Sequence, residues 1–344
     1  MTANPYPWPP GTATGIGSLP GEDVRDAVAT VFGELPDLPH LPELPARGPG
    51  ADLVGRTAAL LVDLHVDRQP SGWRLVPRPG RDERRAAAFL RADLDAFEER
   101  AEGFTGAVKA QLAGPWTLAA AVELPRGGPA LADPGAVRDL TASLVEGLRA
   151  HVAEVARRVP GATPLLQLDE PALPAALAGA VPTASGLRRI GRVEAAVAEQ
   201  ALAAAVAAAG MPVVVHCCAA TPPIDLLRRA GASGVSVDAT ALDLARPGPY
   251  DDALGEAVEA GVWLWAGVVS TTGVDSGPEF SDPAVIVDPV RRLWRRLGLD
   301  PARLASGVVV TPTCGLAEVS PGRARAAMAA ARAAGRVLVD EPEG

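Results

Sequence analysis

"RIGRVEAAVAEQALAAAVAAAGMPVVVHCC", residues 189–218, joins an alanine-rich run to a short run of valines. The first part, Arg189–Ala209, has the length and the apolar spacing of an amphipathic helix. The second part, "PVVVHCC" at 212–218, is apolar and β-branched, as expected for a buried strand. A helix and a buried strand joined by a short turn indicate a parallel sheet that is covered by helices.

The same alternation recurs along the whole chain. Eight β-rich runs are candidate strands, at residues 13–19, 39–44, 106–114, 163–170, 212–218, 234–240, 262–269 and 307–314. The candidate helices between them include Asp82–Glu102, Ala136–Arg158, Arg189–Ala209 and Pro321–Ala334. This pattern predicts an α/β fold, a (β/α)8 TIM barrel, as one domain over residues 1–344 after a short extended N-terminal segment. A doubly wound open sheet is the alternative, and residues 66–82 fit the strand count least well.

Composition narrows the class of protein. The net charge is −9 and no basic stretch is interleaved with aromatic residues, which argues against a nucleic-acid or acidic-membrane partner. The N-terminus lacks the apolar core of a signal peptide, and no apolar run approaches the roughly 20 residues of a membrane span. We therefore predict a cytoplasmic protein whose three cysteines are free thiols, available for metal binding or catalysis.

Two of those cysteines follow the valine run. Side chains alternate between the faces of a strand, so His216 and Cys218 point the same way and Cys217 points to the other face. Cys314 and Asp238 also end β-rich runs, "GVVVTPTC" and "GVSVD". Four candidate ligands at equivalent strand ends predict a zinc site, because zinc prefers thiolate, imidazole and carboxylate. The alternative is a pair of buried cysteines that act as small apolar residues beside a core histidine.

A zinc site of this composition favours one reaction class. Coordination deprotonates a thiol at neutral pH and leaves a thiolate that can attack an electrophile. Hydrolysis by zinc-bound water is less favoured, because thiolate ligands offset the charge of the ion. The ligand set therefore predicts alkyl transfer to a thiol.

Six short motifs, in the same order, resemble the catalytic barrel of cobalamin-independent methionine synthase. They are "TGIGSLP" (14–20), "VKAQLAGPWTL" (108–118), "QLDEPAL" (167–173), "HCC" (216–218), "VSVD" (235–238) and "TPTCGL" (311–316). The resemblance implies a zinc-dependent methyltransferase that converts homocysteine to methionine on a TIM barrel. It implies zinc ligands at His216, Cys218 and Cys314, with Asp238 where the family has a glutamate.

The resemblance also implies a binding site for the amino-acid end of homocysteine. Ile16, Gly17 and Ser18 would hold the carboxylate, and Asp169 would hold the ammonium group. A further family glutamate corresponds to Gly55 here, and Glu43, at the end of the preceding strand, is the candidate to replace it. Lys109, the one lysine of the chain, is a candidate inward-facing residue of the barrel.

Departures from the family concern the methyl donor. The family enzyme has two barrels, and this chain has room for one. The run "GVVSTTGVD" (267–275) lacks the histidine that assists methyl release from folate. We therefore expect a methyl-corrinoid donor, free or on a corrinoid protein, with methyltetrahydrofolate as the alternative. Other readings are a zinc-dependent thiol alkyltransferase of the coenzyme M type and a metal-free barrel like uroporphyrinogen decarboxylase.

Overall fold

The computed structural model describes residues 7–271, 280 and 282–342. Its strands are β1 (His65–Gln69), β2 (Gly72–Val76), β3 (Ala107–Ala113), β4 (Val122–Glu123), β5 (Thr163–Asp169), β6 (Val213–Cys217), β7 (Gly234–Asp238), β8 (Trp263–Val269) and β9 (Val308–Pro312). Six of them form one parallel sheet in chain order, β3-β5-β6-β7-β8-β9. An all-parallel sheet with buried strands needs helices on its outer face.

Two short segments close this sheet into a ring. We call residues 13–18 and 40–43 the closing segments. Ala13 pairs with Val310 of β9, Ser18 pairs with Glu43, and His40 pairs with Lys109 of β3, all in parallel. Backbone bonds from Thr14 N to Val310 O (3.1 Å) and from Leu41 N to Lys109 O (2.8 Å) join the ring to both edges of the sheet. The predicted barrel is therefore confirmed, and the open doubly wound sheet is wrong.

Helices cover the outside of the barrel. They are α1 (Val24–Glu34), α2 (Leu53–Ala58), α3 (Arg81–Arg100), α4 (Pro115–Ala121), α5 (Pro134–Arg158), α6 (Leu173–Leu177), α7 (Ala195–Ala209), α8 (Ile224–Arg229), α9 (Asp251–Glu259), α10 (Pro283–Arg296), α11 (Leu304–Gly307) and α12 (Pro321–Asp340). Short 3-10 helices lie at Pro45–Arg47, Ala130–Ala132 and Pro301–Arg303. None of the helices within the described ranges is long and apolar enough to cross a membrane.

The interior of the barrel changes character along the strands. Near their N-terminal ends it is apolar, with a cluster formed by Trp8, Leu38, Ala107, Leu165, Val214, Trp265 and Val309. Two residues further along the same strands the buried side chains are polar: Lys109, Gln167, His216 and Thr311. Because alternate residues of a strand share a face, these polar groups lie inside the barrel, towards the C-terminal ends of its strands. This is the end at which TIM barrels carry their active sites.

Three local expectations need correction. The two closing segments form isolated bridges and not the regular strands predicted at 13–19 and 39–44. The helix expected from Arg189 begins at Ala195, because residues 181–190 fold back and Ile190 N donates to Val181 O. Residues 7–12, expected to be extended, form bends and a turn, with Trp8 packed edge-on against Trp263 and Trp265; residues 1–6 lie outside the described range.

Candidate metal centre and substrate pocket

Three soft ligands meet at the C-terminal end of the barrel. His216 is in β6, Cys218 follows that strand directly, and Cys314 lies two residues beyond β9. Their ligand atoms all lie within 4.8 Å of one another, and the two Sγ atoms are 3.6 Å apart. Two thiolates on one tetrahedral zinc ion, with bonds of about 2.3 Å, would be separated by about 3.8 Å. The spacing of these side chains therefore fits a metal ion.

The imidazole of His216 is oriented for coordination. Its Nδ1 lies 3.0 Å from the Oγ of Ser236, on the neighbouring strand β7. Its Nε2 is buried and has no hydrogen-bond partner among the described residues. In a metal-binding histidine, one ring nitrogen is usually held by a hydrogen-bond partner such as this hydroxyl and the other is left for the metal.

The three cysteines differ in acidity. The neighbouring Cys218 thiol and His216 ring lower the pKa of the Cys314 thiol to about 4. The same sulfur contact, together with burial, raises the pKa of Cys218, because its proton is held between the two sulfurs. Burial raises the pKa of Cys217 to about 12, and this residue lies outside the ligand group. The low pKa of Cys314 favours its thiolate form, which a bound cation would stabilise further.

Asp238 does not join the three ligands. Its Oδ1 accepts hydrogen bonds from Thr240 N (2.9 Å), Thr240 Oγ1 (2.6 Å) and Ala241 N (3.0 Å). A short aspartate side chain readily bonds to the backbone two and three residues ahead, and this use competes with metal binding. In the structure the carboxylate of Asp238 therefore caps the turn after β7.

A pocket of about 610 Å³ opens beside the ligand group. Its lining includes the three candidate metal ligands and every substrate residue that the sequence suggested, namely Ile16, Gly17, Ser18, Glu43 and Asp169. Asp52, Thr271, Glu318 and several apolar residues complete the described wall. One cavity thus joins the sulfur and imidazole ligands to the residues expected around an amino acid.

Two buried acids face this pocket. Asp169 is 4% exposed, and burial raises its pKa to about 7. Glu43 is 3% exposed, its pKa is also raised by burial, and its Oε1 accepts a hydrogen bond from Gln111 Nε2 (2.9 Å). Carboxylates that are costly to ionise without a counter-charge make a suitable seat for an ammonium group.

The "TGIGS" segment lies against the barrel interior. A Cβ atom on Gly15 would lie 2.3 Å from the His40 ring, and one on Gly17 would lie 2.9 Å from the Gln111 side chain. Glycine is therefore required at both positions for the first closing segment to pass so close. Ser18 is partly exposed, and its Oγ is close to Gly315, next to Cys314.

Other sequence-based suggestions have clear outcomes. Gly55 is buried in α2, where a Cβ atom would lie 2.6 Å from Gly50 Cα, so no side chain can reach the pocket from there. Glu43, the candidate to replace the family glutamate, lines the pocket together with Asp52, Asp169 and Glu318. Of the run at 267–275, which lacks the family histidine, residues 272–275 lie outside the described range.

Sequence reasoning indicated Lys109 as an inward-facing residue of the barrel but missed Gln111, Gln167 and the contacts of all three. Lys109 and Gln111 share one face of β3, and Gln167 shares the inner face of β5 with Asp169. Their alternation was visible in the sequence, but their partners depend on which strands are neighbours. Ser236, the partner of His216, was missed for the same reason.

Comparison with known families identifies the family of this chain. The family model described as "Cobalamin-independent synthase, Catalytic domain" matches residues 11–336. The chain belongs to this family. It is accordingly a methyltransferase, and His216, Cys218 and Cys314 form a possible metal-binding group in the catalytic domain of the synthase family.

Solved structures agree with the fold of the synthase family. A B12-independent methionine synthase from Shewanella sp. W3-18-1, in complex with selenomethionine, is 12% identical. The alignment covers 97% of this chain and 99% of that chain, with a TM-score of 0.59, and it supports the fold alone. A putative sugar phosphate isomerase/epimerase from Anabaena variabilis ATCC 29413 aligns at 10% identity, over 96% and 98% of the two chains. Its TM-score of 0.42 is too low to indicate a shared fold. No curated protein matches the sequence.

Proposed function

We propose that this methyltransferase transfers a methyl group to the thiol of homocysteine and forms methionine, with zinc bound by His216, Cys218 and Cys314. The observation that carries the proposal is the shared pocket, in which the sulfur and imidazole ligands lie together with two buried carboxylates. Homocysteine has one thiol, one ammonium group and one carboxylate, and the pocket offers a matching group for each.

The ligand group fits zinc by its chemistry and its spacing. Two cysteine sulfurs and the unpartnered Nε2 of His216 are zinc's preferred donors. When bound, zinc stabilises a substrate thiol as a thiolate at neutral pH. Ser236 holds the His216 ring in place through Nδ1, so the ligand group is oriented before any substrate arrives.

The protein's own residues would orient the amino acid. Asp169 and Glu43 accept hydrogen bonds from its ammonium group, whose charge offsets the cost of burying these carboxylates. Gly17 and Ser18 are placed to donate backbone and hydroxyl hydrogen bonds to its carboxylate. Fixing both ends directs the thiol towards the metal ligands and lowers the entropy cost of the transfer.

The acidic lining of the pocket also favours the binding of homocysteine over that of other thiols. Coenzyme M carries a sulfonate, which Asp169 and Glu43 would repel from the same pocket. A metal-free decarboxylase-like barrel would leave the buried Nε2 of His216 without a partner. Both features favour an amino-acid thiol over these alternatives.

The donor expected from the sequence was a methyl-corrinoid, and the family description, a cobalamin-independent synthase, goes against it. Methyltetrahydrofolate agrees with the family, although the run at 267–275 has no histidine to protonate the leaving nitrogen. The acceptor half of the proposal, zinc and homocysteine, does not depend on which donor is used.

The test is a methionine-formation assay on the zinc-loaded protein. Homocysteine is supplied with methyltetrahydrofolate in one arm and with methylcobalamin in the other, and both methionine and bound zinc are measured. We expect one zinc ion per chain and methionine in at least one arm, and Cys314→Ser should remove both. Zinc-free protein that still forms methionine would refute the role of the metal, and a zinc protein that binds no homocysteine would refute the acceptor.

A further inference from the structure

Lys109 is the one lysine of the chain, and it lies inside the barrel. Only 1% of its surface is exposed. Its Nζ donates hydrogen bonds to the backbone oxygen of Ile16 and to Oε1 of Gln167, both at 2.7 Å. Burial lowers the pKa of Lys109 to about 7, and the carboxylates of Asp169 and Glu43 act in the opposite direction. A cation buried at such cost, where a Leu or Met would pack without one, needs a reason.

Gln167 continues the chain of contacts towards the pocket. Its Nε2 donates to the Ile16 oxygen at 2.9 Å and to Oδ1 of Asp169 at 2.7 Å. Its Oε1 accepts from Lys109, so the amide orientation is fixed by partners on both sides. One continuous network therefore links the first closing segment, through Ile16, with the carboxylate of Asp169.

The two ends of this network are the two halves of the proposed amino-acid site. Ile16 precedes Gly17 and Ser18, the residues placed to bind the substrate carboxylate, and all three line the pocket. When the Ile16 oxygen is held inwards, the Gly17 N–H is held pointing the opposite way, because both belong to one planar trans peptide unit. Asp169, at the other end, is the residue placed to bind the ammonium group.

We propose that Lys109 and Gln167 form a positioning pair that sets the distance between the carboxylate-binding and ammonium-binding halves of the pocket. Neither residue contacts the substrate: Lys109 acts through Ile16 and through Gln167, and Gln167 acts through Asp169. This inference rests on the proposed function, since it assigns a recognition role to the same pocket. It predicts that the pair determines selectivity for an α-amino acid over simpler thiols.

The experiment measures the affinity of the zinc-loaded protein for three thiols. They are homocysteine, 4-mercaptobutyrate, which lacks the ammonium group, and 3-aminopropanethiol, which lacks the carboxylate. We expect the unmodified protein to bind homocysteine at least about 10-fold more tightly than either analogue, as for one hydrogen-bonded charge. Lys109→Met and Gln167→Met should each reduce this preference to about threefold or less with zinc content unchanged.

Two further variants distinguish a positioning role from a general disturbance of the barrel interior. The double variant should lose no more of the preference for homocysteine than the single variant with the larger loss, because both substitutions break the same network. Thr311→Val is the matched control: Thr311 is a fully buried residue of β9 whose hydroxyl has no partner within the described chain, and this variant should keep the full preference.

Several outcomes would overturn the inference. Folded variants that keep the preference for homocysteine would exclude positioning, as would an equal loss of affinity for all three thiols. If Lys109→Met does not fold, Gln167→Met alone decides the question, because it breaks the bridge and keeps the cation. If the unmodified protein binds none of the thiols, the proposed function itself fails. If the unmodified protein prefers homocysteine and the variants keep that preference, only the positioning role fails.

Discussion

The Nδ1 atom of His216 lies 3.0 Å from the Oγ atom of Ser236, on the adjacent strand of the barrel. This contact holds the ring through Nδ1 and leaves Nε2 without a hydrogen-bond partner among the described residues. Ser236→Ala should weaken zinc binding by about 10- to 100-fold with little change in fold, because the His216 ring would lose the hydroxyl that orients it for the metal. Competition with a chelator measures the effect. Ser233→Ala is the control, since the Oγ of Ser233 accepts a hydrogen bond from Val213 N (3.4 Å), at the other end of the strand pair.

Neighbouring cysteines should respond in opposite ways to the same substitution. Cys218→Ser should remove zinc and methyl transfer while the circular dichroism spectrum is retained. Cys217→Ser should keep both and lower stability by about 1–3 kcal/mol, because a hydroxyl would replace a fully buried thiol. Metal analysis and thermal denaturation of both proteins check this, and equal loss of zinc from the two would contradict it.

The carboxylate of Asp238 serves the turn after β7. Asp238→Ala should therefore leave zinc content unchanged and lower the free energy of unfolding by about 1 kcal/mol, as for loss of a cap. Zinc stoichiometry and denaturant unfolding are the measurements. A variant that has lost its zinc would instead identify Asp238 as a ligand that swings in when the ion binds.

Substitution of Asp169 should affect the substrate more than the metal. Asp169→Asn should weaken homocysteine binding by about 10- to 100-fold, because a charged hydrogen bond to the ammonium group is lost. Zinc content should stay at one ion per chain. Glu170→Gln is the matched control: Glu170 caps α4 through Trp116 N and Thr117 N, so it should lower stability and leave homocysteine affinity unchanged.

Acid should destabilise the protein through His151. This side chain is buried in α5, and burial lowers its pKa to about 4. Between pH 6.5 and pH 4 the unfolded chain binds a proton that the folded chain does not, so stability falls as the pH falls. The loss is up to about 3 kcal/mol. His151→Leu should flatten this part of the pH–stability curve, and an unchanged slope would show that His151 is accessible to protons in the folded state.

The barrel was predictable because each of its strands can be identified from a short stretch of sequence. Most of the buried strands are apolar runs, several of them rich in valine, and all eight runs found in the sequence lie in the ring. The hairpin of β1 and β2 was not predicted, because it lies outside the ring and its side chains are mostly half-exposed. The start of α7 was placed six residues too early, at Arg189, because the fold-back at 181–190 depends on a contact that periodicity does not encode.

The site was predictable in part for a similar reason. His216, Cys218 and Cys314 follow strands whose C-terminal ends must meet, so their proximity follows from the fold class. Asp238 satisfies the same rule and still lies outside the group, because Thr240 and Ala241 capture its carboxylate locally. The network of Lys109, Gln167 and Asp169 requires knowledge of strand register, which the sequence does not contain.

The closing of the ring has a consequence for biosynthesis. Ala13 emerges from the ribosome early but pairs with Val310, which is made nearly three hundred residues later. The first closing segment, which carries Gly17 and Ser18, therefore lacks its partner strand β9 until that strand and Cys314 have been synthesised. Such long-range closure is slow, so nascent chains should remain inactive and dependent on chaperones until synthesis is almost complete.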